Sequence, residues 1–201
     1  MKEMWDERYS REEYAYGEEP NLFFKTCLEQ IPTPGRLLLP AEGEGRNAVY
    51  AARQGWKVDA FDISAVGRNK ALRLAARHGV HIDYQVADYE SARIEGGAYD
   101  AVALIFAHVH ESKRRNVHQR LASALAPGGR VIVEAYSKEQ LSYGTGGPPA
   151  EALLYALDDL REDFADLEFL QIQKTEAEIH EGQYHHGLAS VIRLVALAGR
   201  P

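Results

Sequence analysis

The chain has a single cysteine, Cys27, among 201 residues, so no internal disulfide framework can form. A lone thiol suits a reducing compartment, and its plainest role is that of a small buried helix residue. Long hydrophobic runs are missing too: nothing approaches the ~20 apolar residues of a membrane span. The opening residues, Met-Lys-Glu-Met-Trp-Asp-Glu-Arg, are too polar for a secretory signal. A cytoplasmic protein with no membrane partner is expected. Positive charge is also scarce, with 23 Lys and Arg against 30 Asp and Glu. The resulting net charge of −7 argues against nucleic acid as a partner, because phosphate binding calls for a basic face. Repeats and low-complexity segments are absent. What remains, 45% hydrophobic and 26% charged residues, is the composition of one folded domain, expected to span residues 1–201.

From Gly35 onward the chain alternates between strand-like and helix-like stretches. Strands are expected at 36–39, 57–61, 80–86, 101–106 and 130–134. The fourth is apolar throughout, as a strand covered on both faces should be. Between them, helical stripes run from Arg46 to Gln54, from Ser64 as N-cap to Gly79, and through Val117, Leu121 and Leu125. Upstream, residues 1–19 mix charges with Trp5, Tyr9, Tyr14 and Tyr16 and read as neither strand nor clean helix, and Pro20 opens a short helix. Downstream come a turn-rich stretch at 137–149, a helix with Leu153, Leu157, Leu160 and Phe164 on one side, and two strand-like runs at 167–175 and 190–197. A polar hairpin at 176–189 joins those runs. Repeated βα units imply a doubly wound, mostly parallel α/β sheet. Two strands joined by a hairpin must be mutually antiparallel, so the expected fold is a seven-stranded sheet with an antiparallel last strand.

The stretch Arg36 to Ala48, Arg-Leu-Leu-Leu-Pro-Ala-Glu-Gly-Glu-Gly-Arg-Asn-Ala, joins a buried strand to a helix through a glycine turn. Such a turn brings backbone N–H groups at a helix N-terminus up to a ligand. Gly43-x-Gly45-x-x-Ala48 fits the loose dinucleotide pattern, and Asp62 stands at the end of the second strand, where a ribose-binding acid belongs. Charge separates the two candidate ligands. Glu42 and Glu44 flank Gly43 where a pyrophosphate would lie, and carboxylates beside a dianion repel it. S-adenosylmethionine instead offers an ammonium and a sulfonium cation to those acids and a carboxylate to the helix N-terminus. The charges favour S-adenosylmethionine.

The segments Ala41-Glu-Gly-Glu-Gly-Arg-Asn-Ala48, Val58-Asp-Ala-Phe-Asp-Ile-Ser64, Val86-Ala-Asp88, Tyr99-Asp100 and Leu125-Ala-Pro-Gly-Gly129 occur in a telling order. With Trp5-Asp-Glu-Arg-Tyr9, Tyr16-Gly-x-x-Pro20 and Glu181-Gly-x-Tyr-His185-x-Gly187, they resemble class I S-adenosylmethionine-dependent methyltransferases. The similarity is to the small bacterial group related to tellurite-resistance (TehB-like) and thiopurine methyltransferases, and it covers nearly the whole chain. The resemblance implies a Rossmann-like methyltransferase fold and a role for each matching position. Ala41, Gly43 and Gly45 would pass under the methionine part of the cofactor, with Glu42, Asn47 and Tyr16 beside it. Asp62 would accept from the ribose hydroxyls, Ile63 would lie on the adenine, and Asp88 would take its amino group next to Tyr89. Phe106 and Ala107 would border the transferred methyl. Two positions depart from the family pattern: Leu39 stands where an acid is usual, and Ala41 replaces the first glycine. Glu42 is the candidate to supply the missing charge.

Asp62 and Asp88 can each also be read as simple helix caps, and the N-terminal aromatics as plain packing rather than a lid over the cofactor. Of the eight histidines, His108-x-His110 and His185-His186 are the close pairs, and neither has zinc-site spacing, so no metal is expected. His108, His185 and Tyr184 are the candidate catalytic residues, histidine being the usual proton acceptor near neutral pH. Thiol, selenium or tellurium nucleophiles need no base. The expected activity is methyl transfer to a small-molecule acceptor, a soft chalcogen or thiol being one candidate, with the acceptor pocket shaped by residues 137–149 and 176–189. The alternatives are a protein methyltransferase and a non-catalytic module binding S-adenosylmethionine or S-adenosylhomocysteine. Oligomeric state is not encoded in any recognisable pattern.

Overall fold

The computed structural model describes residues 1–199. Seven strands form one sheet: β1 (Arg36–Pro40), β2 (Lys57–Asp62), β3 (Asp83–Val86), β4 (Tyr99–Ile105), β5 (Leu125–Tyr136), β6 (Glu168–Glu181) and β7 (His185–Leu197). Six helices accompany them: α1 (Lys2–Tyr9), α2 (Leu22–Glu29), α3 (Arg46–Arg53), α4 (Ala65–Arg77), α5 (Glu111–Ala122) and α6 (Leu157–Asp163). The spatial strand order is β3-β2-β1-β4-β5-β7-β6. All pairs from β3 to β5 are parallel, whereas β7 is antiparallel to both β5 and β6. The expected doubly wound sheet with one reversed strand is therefore the observed one.

The three leucines of β1 show how the layers arise. Strand side chains alternate between faces, so Leu37 and Leu39 enter one core with Phe24, Val49 and Leu74. Leu38 enters the other with Val117, Leu121, Leu160 and Phe164. A strand apolar at every position is what two covered faces require. Helices α2, α3 and α4 close one face, and α5 and α6 close the other.

Several boundaries differ from those expected. Residues 2–9 do form a helix, α1, whose charged sequence hides one buried residue, Tyr9. Tertiary contact rather than amphipathic pattern holds it. Asn21, not Pro20, caps α2, its side chain accepting from the Phe24 N–H at 2.8 Å. Ser64 caps α4 as expected, accepting from Gly67. The third strand is shorter than 80–86, and β5 is longer than 130–134 because pairing with β4 and β7 extends it. The polar hairpin of 176–189 is mostly strand: β6 and β7 pair as far as Glu181 and His185, leaving only 182–184 as turn. Its polarity reflects an edge position, with β6 outermost in the sheet.

Candidate active site

The connections leave β1 toward β2 on one side and lead from β3 across to β4 on the other. The strand order therefore reverses at the carboxyl ends of β1 and β4, the place where open α/β sheets bind ligands. The glycine turn after β1 forms one wall. Ala41, Gly43 and Gly45 all have positive φ, at 51°, 60° and 86°. A Cβ on Gly43 would lie 2.6 Å from the Tyr9 hydroxyl, and one on Gly45 would lie 2.5 Å from the Ala71 Cβ. The turn is thus tight for two reasons: α1 sits on it, and α3 packs closely against α4.

Asp62, at the end of β2, is buried. Its two oxygens accept from the Gly43 N–H (3.1 Å) and the Ser64 N–H (2.8 Å), and burial raises its carboxyl above the usual range. Both roles read for it from sequence, helix cap and ligand binding, start from this placement. Glu42 folds back on the start of α3, accepting from the Ala48 N–H at 2.7 Å and from Asn47 Nδ2 at 3.5 Å. Desolvation pushes its carboxyl up to about 7. Glu44 does not face the turn as the charge argument supposed. It turns away, its oxygens taken by Lys70 (2.5 Å) and by the Ala15 N–H (2.7 Å). The acidic character of the turn rests on Glu42 and Asp62. The two cations beside it, Lys70 and Arg46, are held by Glu44 and Glu181 respectively. That donor set fits a ligand bearing a cation and hydroxyls better than one bearing a pyrophosphate.

Ile63 is half-buried beside Asp62, next along the same wall. Asp88 is exposed, and its Oδ1 accepts from the N–H groups of Glu90 and Ser91 and from the Ser91 hydroxyl. These bonds hold its carboxyl below the usual range, and they give it the capping role directly. Tyr89 packs edge-on to Phe61, with a buried hydroxyl that has no partner.

The opposite wall is aromatic. Phe106, just past β4, has a φ of 50°, which turns the chain sharply out of the strand. Its ring lies 4.5 Å from that of Tyr136 and 4.8 Å from that of His185. Tyr16 packs on His185 at 4.4 Å, and His108 stacks parallel to Tyr136 at 6.0 Å. The buried Tyr136 hydroxyl and the Nδ1 of His108 both lack partners. Burial lowers the basicity of the His108 ring to about 4. Tyr184 joins the cluster at its margin, its ring 6.0 Å from that of Tyr16 and under the Arg8 guanidinium.

A roof of three segments covers the cluster. The turn between β6 and β7 abuts the N-terminal segment: the Gln183 N–H donates to the Ala15 carbonyl at 3.1 Å, and a Cβ on Gly182 would come within 2.4 Å of that carbonyl. The loop at 143–149 lies over Tyr136 through Gly146 and Gly147. A buried polar network ties these parts together. Glu181 accepts from Arg46 (2.6 Å), Asn21 (2.9 Å) and His185 Nδ1 (3.2 Å). Asn21 also donates to Glu134, which accepts from Arg193 at 2.7 Å. The middle of α1 is fastened by the Ser64 hydroxyl, which donates to Asp6 at 2.6 Å.

The sequence expectations thus converge in part. Glu42, Gly43, Gly45, Asn47, Asp62 and Ile63 gather at one wall, and Phe106, His108, His185 and Tyr16 at the other. Asn21, Lys70, Glu134 and Tyr136 went unread. Their signal was weak: a buried lysine at an internal helix position and a tyrosine at a strand end look ordinary until their partners are known. Among the described residues no group of three or more His, Cys, Asp or Glu is placed to hold a metal ion. Among the described residues no helix is long and apolar enough to cross a membrane.

A family model described as a methyltransferase domain matches residues 40–129. No curated protein sequence matches. Among solved structures, the chain resembles one described under the conversion of a disulfide bond into a thioacetal group during echinomycin biosynthesis. The TM-score is 0.81 and the identity 17%, covering 99% of this chain and 92% of that one. TehB from Haemophilus influenzae matches with a TM-score of 0.71 and 18% identity over 87% of this chain and 61% of its own. Magnesium protoporphyrin IX methyltransferase from Synechocystis PCC 6803, with bound SAH, matches at 0.66 and 17% over 87% and 79%. At such identities the likeness is one of fold, and the fold is that of class I S-adenosylmethionine-dependent methyltransferases. S-adenosylmethionine as cofactor, expected from the charges of the turn, is supported by the family match.

Proposed function

We propose that this protein transfers a methyl group from S-adenosylmethionine to a small-molecule acceptor. The observation that carries the reading is the placing of two unlike sets of residues at adjoining strand ends: an acidic glycine turn after β1 and an aromatic cluster past β4 and β5. The cofactor supplies an electrophilic methyl on a sulfonium centre. The backbone of Ala41, Gly43 and Gly45 cradles its amino-acid end, with Glu42 and Asn47 at the start of α3 and Tyr16 above. Asp62 binds the ribose hydroxyls, Ile63 and Tyr89 border the adenine, and Asp88 takes the adenine amino group through Oδ2, which it does not use locally. Phe106 borders the methyl. The cluster's part is to hold the nucleophile in line and keep water away.

The roof favours a small acceptor over a protein side chain, because the hairpin turn and the N-terminal segment meet directly above the cluster. Within such an enclosure a thiol or soft chalcogen nucleophile would need no base, whereas an O–H or N–H acceptor would need one.

Titration with S-adenosylhomocysteine in a calorimeter, followed by an assay for its release over thiols, tellurite, selenite and phenols, tests the proposal. Binding that weakens at least tenfold in Asp62→Asn, with release from at least one acceptor, is expected. Tight binding with no release from any acceptor would replace the enzyme with a binding module, and no binding at all would remove the cofactor assignment.

A further inference from the structure

His185 and Glu181 form an arrangement that methyl transfer to a soft nucleophile does not require. His185 begins β7 immediately after the hairpin turn, and Glu181 ends β6, so the closing of the hairpin itself sets the pair side by side. The Nδ1 of His185 lies 3.2 Å from Glu181 Oε2. That carboxylate is not free to move. Arg46 Nη2 donates to the same oxygen at 2.6 Å and Asn21 Nδ2 to the other at 2.9 Å, and all four side chains are nearly buried. A carboxylate fixed against one ring nitrogen sets the tautomer, with the proton on Nδ1 and the lone pair on Nε2. Nε2 makes no hydrogen bond among the described residues. The ring it belongs to packs against Phe106 at the end of β4 and against Tyr16 and Tyr136.

We infer that His185, positioned by Glu181, is the general base of this site, and that the acceptor is a protic one whose O–H or N–H must be deprotonated as it attacks. This rests on the methyltransferase reading above and deepens it. The proton passes from the acceptor to Nε2. The electron pair of that O–H or N–H bond stays with the acceptor atom as it bonds to the methyl carbon, and the pair of the breaking C–S bond remains on sulfur. The imidazolium that forms is held against the Glu181 carboxylate, so a second charge need not be brought in.

His108 is the rival base, and the geometry excludes it. It has no carboxylate orienter, and its Nδ1 lies buried with no partner. Its ring stacks parallel to that of Tyr136 at 6.0 Å. The charged and titratable groups facing His185 are Glu181 from β6, Arg46 from α3, Arg8 from α1, His108 from beyond β4, Tyr136 from β5 and Tyr16 from the N-terminal segment. Burial and the two arginines keep the ring neutral near pH 7 while Glu181 opposes them, the state a base must start from.

Two measurements on the full chain test this. The first is ring ¹⁵N NMR of the histidine-labelled protein at pH 7.5, with His185→Gln used to assign the signal. A neutral His185 protonated at Nδ1 is expected, with the tautomer redistributed in Glu181→Gln. A ring protonated at Nε2, or unaffected by Glu181→Gln, overturns the proposal whatever the acceptor. The second compares catechol and tryptamine, as protic probes, with thiophenol, which ionises unaided near neutral pH. In His185→Gln the ratio of protic to thiophenol turnover should fall about 100-fold, within the range of general-base contributions. In Glu181→Gln the acid limb of the pH profile for catechol should move to lower pH, a change that a merely structural role would not produce. Glu181→Asp should restore part of the rate, and it serves as the second variant if Glu181→Gln fails to fold. Turnover of thiophenol alone by the wild type, or an unchanged ratio in His185→Gln, refutes the base. Failure to bind S-adenosylhomocysteine refutes the methyltransferase reading instead, so the two failures are distinguishable.

Discussion

Lys70 offers the sharpest test of how the N-terminal segment is held over the site. It lies on the inner side of α4 with 2% of its surface exposed. Its ammonium faces the Glu44 carboxylate at 2.5 Å, donates to the carbonyls of Arg11 (2.9 Å) and Glu13 (2.7 Å), and sits 4.6 Å from the centre of the Tyr14 ring. Lys70→Met keeps the stem and removes the charge. Glu44 would then be a buried carboxylate without its cation, and two carbonyls would lose their donor. Breaking a buried pair by removing one partner costs about 3–5 kcal/mol. Replacing both members, in Lys70→Met with Glu44→Gln, removes the stranded charge while the new amide oxygen can still accept from Ala15. At least half the loss should return, a coupling of about 2 kcal/mol or more. Urea denaturation followed by fluorescence measures the cycle, and trypsin cleavage after Arg11 reports whether the segment detaches before the domain unfolds. Additive losses within about 0.5 kcal/mol would show that the pair is not what holds the segment, and the reasoning would fail.

Two further outcomes follow from the turn. Glu42 sits near its ionisation midpoint at pH 7. A ligand ammonium placed beside it would pull that carboxyl down, releasing up to about half a proton on binding. Calorimetry with S-adenosylmethionine in two buffers of different ionisation enthalpy reads this, and Glu42→Gln should abolish it. An unchanged affinity and proton release in Glu42→Gln would remove Glu42 from the site. For stability the sign is the opposite of the usual carboxylate case. The folded carboxyl is raised above its unfolded value of 4.5, so its contribution is full below pH 4.5 and lost as the pH rises through about 7. Ala41 adopts a φ of 51°, a left-handed conformation that costs a non-glycine residue about 1–2 kcal/mol. Ala41→Gly, after the extra unfolded-state entropy of glycine, should stabilise the protein by about 0.5–1 kcal/mol, seen as a small rise in melting temperature. A fall would mean that the Ala41 methyl packs in a way the backbone strain conceals.

The sheet was legible because its signals are local. An apolar run such as Ala101–Ile105 is a strand covered on both faces wherever it sits, and glycine after it or a capping serine such as Ser64 marks the next element. The placement of the turn was legible for the same reason: Gly43, Gly45 and Asp62 lie at fixed offsets from β1 and β2, so reading the strands places them. Helix α1 was not, since seven of its eight residues are outside the core and its hold comes from the burial of Tyr9 against Gly43 and Gly67 and from the Ser64–Asp6 bond. Glu44 was misassigned because a sequence gives charge without direction. Its neighbour Glu42 stays at the turn, while Glu44, two residues on, points to Lys70.

By itself, the sequence determined the class of fold, the reversed strand and the glycine turn. These follow from periodicity and from turn chemistry. The acceptor side was decided only in three dimensions. Phe106, Tyr136 and His185 come from three different strand ends, and Asn21, Arg46 and Glu181 meet across 160 residues of chain. No local pattern encodes such meetings: they exist because β7 inserts between β5 and β6, bringing the hairpin over the mouth of β4.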